Sequence, residues 1–348
     1  SVGWDGETIA DPPALEARDC GANFPGEREA GARGRHAGPY PASEPEVAAF
    51  VAAVERRPNI VAHVTCHTFG GLVLTPPVNR GERLSSADAK AYAALAGRAA
   101  ELTGYDAMSY LALRGDAADD VIPSAFGWLW DQKGVYSFIT EFWNPLRDAG
   151  ISLEGTTASA WLWGFHTVED ERKLLRWSDG TLGGSAFVPW RPFEHPQLGK
   201  VEIGGWDLVG AFYSAPFDRV EEAVAPHTEW LVCQGLSLPR LAVRSLSAES
   251  AGRDLWRVRL VVENTGWLPT NGSQQALDRG ASGETIAELA LPAGARLASG
   301  TARKGLGQLA GRNEQRSTAT WWGYRPGTPD RALAEWIVAA PAGTKLAA

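Results

Sequence analysis

Apolar Ala, Val and Phe recur at helical spacing from Pro45 to about Arg56, behind Ser43-Glu44-Pro45-Glu46, which has the S-x-x-E form of a capping box. That pattern predicts a helix, which Pro58-Asn59 stops. The β-branched run Ile60-Val61-Ala62-His63-Val64-Thr65-Cys66-His67 then predicts a buried strand, bounded by Thr68-Phe69-Gly70-Gly71. Leu72-Val73-Leu74 continues extended until Pro76-Pro77, and Ser85 and Ser86 cap a second helix over 87–103. The stretch 115–126 reads as loop. From Gly134 to Phe142 aromatic and polar residues alternate, which predicts a strand ending on the carboxylate of Glu141. Further helices are expected over 169–175 and 217–232. Helices alternating with short apolar strands predict an α/β fold, a mixed sheet flanked by helices on both faces.

The pattern changes after Leu238-Pro239. Short strand-like runs at 241–243, 255–262, 285–291, 318–322 and 333–338 are separated by turn signals such as Asn264-Thr265-Gly266 and Asn271-Gly272-Ser273. This spacing predicts a C-terminal antiparallel β-sandwich, so the expected division is 1–237 and 238–348. Residues 1–42 are rich in Gly, Pro and charge and read as surface loop, with at most a short strand near Asp19–Phe24.

A length of 348 residues agrees with two domains. With 33 basic against 41 acidic residues the net charge is -8, which argues against duplex nucleic acid or an anionic membrane as partner. No apolar run approaches the ~20 residues of a membrane-spanning helix. Cys20, Cys66 and Cys233 stand far apart and form no CxxC pair, so neither a disulfide framework nor a cysteine zinc site is expected. The cysteines leave the compartment open, and an extracellular or cell-envelope setting is favoured over a cytoplasmic one. The chain begins at Ser1 without a signal-like segment, which suggests processing or a start within a longer protein. Fifteen tryptophans suit core and pocket lining, while an exposed row on the C-terminal strands would suit glycan or cell-wall contact.

Two side chains stand where chemistry is expected. His67 ends a strand, and ligands in open α/β sheets bind beyond strand C-termini. His63 shares its face but lies about 13 Å away along a regular strand, too far to chelate the same ion. Glu141 ends an otherwise apolar strand, where burial beside aromatic rings would raise its pKa toward the range of a general base. His166-Thr167-Val168-Glu169 spells H-x-x-E, but it reads as a helix start with Thr167 as N-cap.

Three blocks, in order, resemble the zinc carboxypeptidases of the carboxypeptidase A type. They are Gly38-Pro39-Tyr40-Pro41-Ala42-Ser43-Glu44-Pro45-Glu46, then His67-Thr68-Phe69-Gly70-Gly71-Leu72-Val73-Leu74-Thr75-Pro76, then Gly127 to Trp143 with Ser137-Phe138-Ile139-Thr140-Glu141-Phe142. The resemblance covers about residues 15–235. It implies a Zn2+ cofactor with His67 as one ligand, Glu141 as catalytic base, a peptide substrate, and Thr68, Phe69, Phe126 and Ile139 as substrate-binding residues. The implied activity is metallocarboxypeptidase hydrolysis of peptide bonds by a metal-activated water.

Several family positions are altered. The family's first two zinc ligands come from an H-x-x-E motif upstream of an Asp-x-Asn-Arg-Asn-Phe-Pro segment; that segment resembles Asp19–Pro25, and no histidine precedes it. The expectation is an N-terminally truncated catalytic domain with an incomplete metal site. Gly21 and Ala22 fall on the carboxylate-binding Asn-Arg pair, and Asp119 falls on the mobile tyrosine, a role left unfilled unless Tyr110 approaches. The alternative is a non-catalytic descendant that binds peptide or glycan.

Overall fold

A computed structural model describes residues 42, 44–77, 82–114, 124–154, 156, 161, 166–314 and 328–347. The N-terminal 41 residues, the expected strand at 318–322, and Gly21, Ala22 and Asp119 lie outside the described residues.

The chain is mixed α/β. After helix α1 (Pro45–Glu55), strands β1 (Ala62–Thr68) and β2 (Leu72–Thr75) lead into helix α2 (Ser86–Thr103) and strand β3 (Asp106–Ser109). Helices α3 (Tyr110–Arg114) and α4 (Ala125–Lys133) precede strand β4 (Tyr136–Phe142), the short helix α5 (Pro145–Asp148) and helix α6 (Val168–Leu182). Ser85 caps α2 by accepting the Asp88 amide, and Thr167 caps α6 by accepting the Asp170 amide, as their sequence contexts predict. The first helix differs: its N-cap is Glu44, without a capping side chain.

Four strands form one sheet in the order β1-β4-β2-β3. β1 pairs with β4 in parallel, β4 with β2 antiparallel, and β2 with β3 in parallel. Side chains alternate across the sheet, so Tyr136, Phe138, Thr140 and Phe142 point to one face and Ser137, Ile139 and Glu141 to the other. The first face packs on α2 and on helix α7 (Val220–Ser237), where Tyr92, Tyr136, Phe138 and Trp230 share one apolar cluster. On the second, Ile139 joins Leu74 and Phe126. Phe126 sits in α4, so the expected loop over 115–126 is corrected at its end. Ser124 accepts the Gly127 amide and starts that helix, a capping signal masked by Gly127 in its first turn.

Between α6 and α7 a two-stranded hairpin, β5 (Phe187–His195) with β6 (Gly199–Trp206), stands apart and leaves Trp190, Phe193 and Leu198 exposed. A π-helical turn, Leu208–Tyr213, follows it.

Beyond α7, strands β7 (Leu241–Gly252), β8 (Leu255–Asn264), β9 (Ile286–Glu288), β10 (Arg296–Ser299), β11 (Arg303–Gly305) and β12 (Arg331–Ala339) are antiparallel. They form a four-stranded sheet, β10-β12-β8-β7, and a two-stranded sheet, β11-β9. Val258, Leu260, Trp336 and Val338 from the larger sheet bury against Ala287 and Leu289. Trp336 is therefore core rather than a surface binding residue.

This segment reaches back to the first sheet through helix α8 (Gln274–Asp278). Ser273 donates its hydroxyl to the Gly134 carbonyl at 2.5 Å, and Asp88 accepts the backbone amides of Gln274 and Gln275.

Candidate active site

The register of the first sheet places His67 directly beside Glu141, and Leu72 beside Glu141 on the other side. The next row is Thr65, Ile139 and Leu74. His67 Nδ1 lies 3.9 Å from Glu141 Oε1, with the imidazole half exposed and the carboxylate 14% exposed. The two residues are thus brought together on one face at the C-terminal ends of parallel strands. Burial pushes the Glu141 carboxyl up to about 7, because taking the charged form out of water is unfavourable.

His63, four residues earlier on the same face, is occupied elsewhere: its Nδ1 lies 2.9 Å from Ser137 Oγ, and burial lowers its pKa. It is a structural histidine.

β1 and β2 are consecutive in sequence yet flank β4 on opposite sides. Their connection, Phe69-Gly70-Gly71, must therefore cross over the end of β4 next to Glu141. Glycine is required there: Gly71 has φ +64°, and a Cβ on it would stand 3.0 Å from the Asn144 Cβ. A Cβ on Gly70 would stand 3.6 Å from the Glu141 Cβ, so the crossing chain lies against the carboxylate's stem. The Gly70 amide donates to the Trp143 carbonyl at 2.8 Å, and Asn144 Nδ2 donates to the Gly70 carbonyl at 2.6 Å.

Phe69 fills the rim, with its ring edge-on to Phe212 at 5.3 Å and Tyr213 at 5.1 Å. Trp143 is held by its indole N–H to the Ala211 carbonyl, 2.9 Å. The π-helical turn thereby supplies an aromatic wall that no sequence pattern announced. Thr68 is exposed beside His67. Phe126 and Ile139 lie 2% and 4% exposed, packed with Leu74 beneath the row rather than opening onto it. Tyr110 packs toward Phe126, ring centroids 6.2 Å apart, in that same cluster.

The H-x-x-E of 166–169 does not form a pair. His166 Nε2 lies 2.5 Å from Glu171 Oε1, its ring stacked 4.1 Å from Trp161, while Glu169 pairs with Arg172. Spacing alone could not distinguish Glu169 from Glu171, because the histidine lies just before the helix begins.

Among the described residues, no three His, Cys, Asp or Glu side chains converge as metal ligands. A catalytic zinc takes three protein ligands, and this face offers one imidazole beside one carboxylate. The described residues do not by themselves fit zinc.

Residues 240–348 match the family model of a domain of unknown function, DUF8731. No curated protein matches the sequence. Among solved structures, the chain is similar to the crystal structure of thrombin activatable fibrinolysis inhibitor (TAFI), with 20% identity and a TM-score of 0.29, over 39% of this chain and 37% of that one. The chain thus spans little more than a third of that protein's length.

No helix among the described residues is long and apolar enough to cross a membrane.

Proposed function

We propose that the chain carries the His67–Glu141 face of a peptide-bond hydrolase of the zinc carboxypeptidase kind, with Glu141 as general base. The observation that carries this reading is the Glu141 carboxyl, 14% exposed, 3.9 Å from an imidazole, and pushed up to about 7. Such a group is half ionised at neutral pH, which balances its ability to accept and return a proton. The carboxylate would take a proton from water as the oxygen adds to the peptide carbonyl carbon. It would then deliver that proton to the amine nitrogen as the C–N bond breaks.

His67, Thr68 and Phe69 would bound the substrate from the β1 side, and the aromatic wall of Phe212 and Tyr213 fixes Phe69 there. A zinc-dependent form of the reaction requires ligands beyond His67. On this reading the β1-β4-β2-β3 sheet with its helices is the carboxypeptidase-like part. The strands from Leu241 to Ala339 form a β-sandwich accessory domain with β9 and β11 as its second layer.

The same shortage of metal donors among the described residues favours a second reading, a non-catalytic descendant that binds peptide or glycan. Peptide hydrolysis with zinc supplied, by this chain and by longer polypeptides that include it, separates the two. Glu141→Gln is expected to lower hydrolysis by about 10²-fold or more while peptide binding persists. Absence of hydrolysis in the parent, with binding intact, would favour the second reading.

A further inference from the structure

The crossing over the end of β4 is three residues long and spans from one neighbour of β4 to the other. Two parts of the molecule hold it down. Trp143 accepts the Gly70 amide, and Asn144, 6% exposed, donates to the Gly70 carbonyl. The Asn144 side chain divides its work: Nδ2 reaches Gly70, while Oδ1 accepts the Arg147 amide at 3.0 Å as the N-cap of α5.

Trp143 itself cannot drift. Its amide is within hydrogen-bond distance of the Tyr105 hydroxyl, at 3.1 Å, and its backbone takes a positive φ of 67°. The chain after Glu141 is therefore anchored from the Tyr105 side and from the Ala211 side.

From this arrangement we infer that Asn144 is a positioning residue: its Nδ2 clamps the Gly70 carbonyl and so fixes the turn that follows His67 against the strand that carries Glu141. The geometric inference stands on hydrogen bonds and topology. Only its consequence for catalysis rests on the hydrolase reading.

The two roles of Asn144 can be separated. Asn144→Ser keeps an oxygen suited to capping α5, but its side chain is too short to reach Gly70, and it adds no charge. Asn144→Ala removes both functions. The full chain, isotopically labelled, is measured for melting temperature, for amide exchange at Gly70, and for the nuclear Overhauser effect between the His67 ring and the Glu141 methylenes.

Expected for Asn144→Ser is a melting temperature near that of the parent, Gly70 exchange faster by roughly tenfold, and a weakened His67–Glu141 signal. Asn144→Ala is expected to show the same exchange and signal together with a lower melting temperature. A serine variant that keeps both Gly70 protection and the signal would overturn the clamp, since capping alone would then explain Asn144.

Gly71→Ala, which presses a Cβ on Asn144 from the other side, serves if the Asn144 variants do not fold. It is expected to lose Gly70 protection, and unchanged protection would count against the clamp. Loss of the clamp signals in a protein that hydrolyses no peptide would leave the positioning role standing and remove the reaction.

Discussion

Asp88 and Tyr136, 48 residues apart, meet in the core at 2.9 Å, the phenol donating to a carboxylate that is 1% exposed. The same carboxylate also accepts the Ser85 hydroxyl and the amides of Gln274 and Gln275. A single buried acid thus joins the start of α2, the first strand residue of β4 and the N-terminus of α8. Asp88→Ala would strand several donors in a dry setting and is expected to cost about 3 kcal/mol or more. Urea unfolding checks this, and a cost under about 1 kcal/mol would mean that water replaces the acid easily.

Stability should depend on pH through two groups of opposite sense. His227 lies 4% exposed between Tyr105 and Phe142, and burial lowers it from 6.5 to about 4. The unfolded chain therefore binds this proton first as pH falls. The contribution of His227 is full above about 6.5 and lost toward 4, a change of about 3 kcal/mol.

Glu141 runs the other way. Its folded pKa of about 7 lies above the ordinary 4.5, so the folded state binds the proton more tightly, and stability falls as pH rises between those values, again by about 3 kcal/mol. Glu141→Gln should accordingly gain on the parent at pH 8 relative to pH 4, and His227→Phe should gain at pH 4 relative to pH 8. Denaturation midpoints across that range decide; an Glu141→Gln difference that is flat with pH would contradict the burial of this acid.

His166 and Glu171 are each 9% exposed, and Glu171 also lies 3.4 Å from the Trp206 indole nitrogen. Removing one member of such a pair leaves the other buried without its partner. Glu171→Ala should destabilise by roughly 3 kcal/mol and loosen Trp161, read as a red shift in tryptophan emission. The double change with His166→Leu should recover part of that loss, because the unpaired imidazole is gone as well.

Much of the first sheet was legible because its strands are short apolar runs bounded by Gly and Pro. Residues 60–67 and 134–142 carry β1 and β4, and the carboxylate at the end of the second run is beside the histidine at the end of the first. The strands of the β5 and β6 hairpin have no legible local pattern: Pro189 and Pro192 interrupt the first of them, and the exposed faces blur the alternation that marks a half-buried strand. α4 was hidden by Gly127 and two tryptophans, residues of weak helical preference that tertiary packing overrides. The aromatic wall was unreadable for a different reason. Phe69 and Phe212 are joined only by the path of the chain through the hairpin and the π-helical turn, and no local period encodes that path.

The placement of β4 has a bearing on how the molecule assembles. Its two flanking strands come first in the sequence and stand one strand's width apart, and residues 136–142, which fill that place, follow strand β3 and three helices, α2, α3 and α4. Seating of that non-local strand and pairing of His67 with Glu141 are one event, so a chain in which β4 is unseated does not hold the two side chains together.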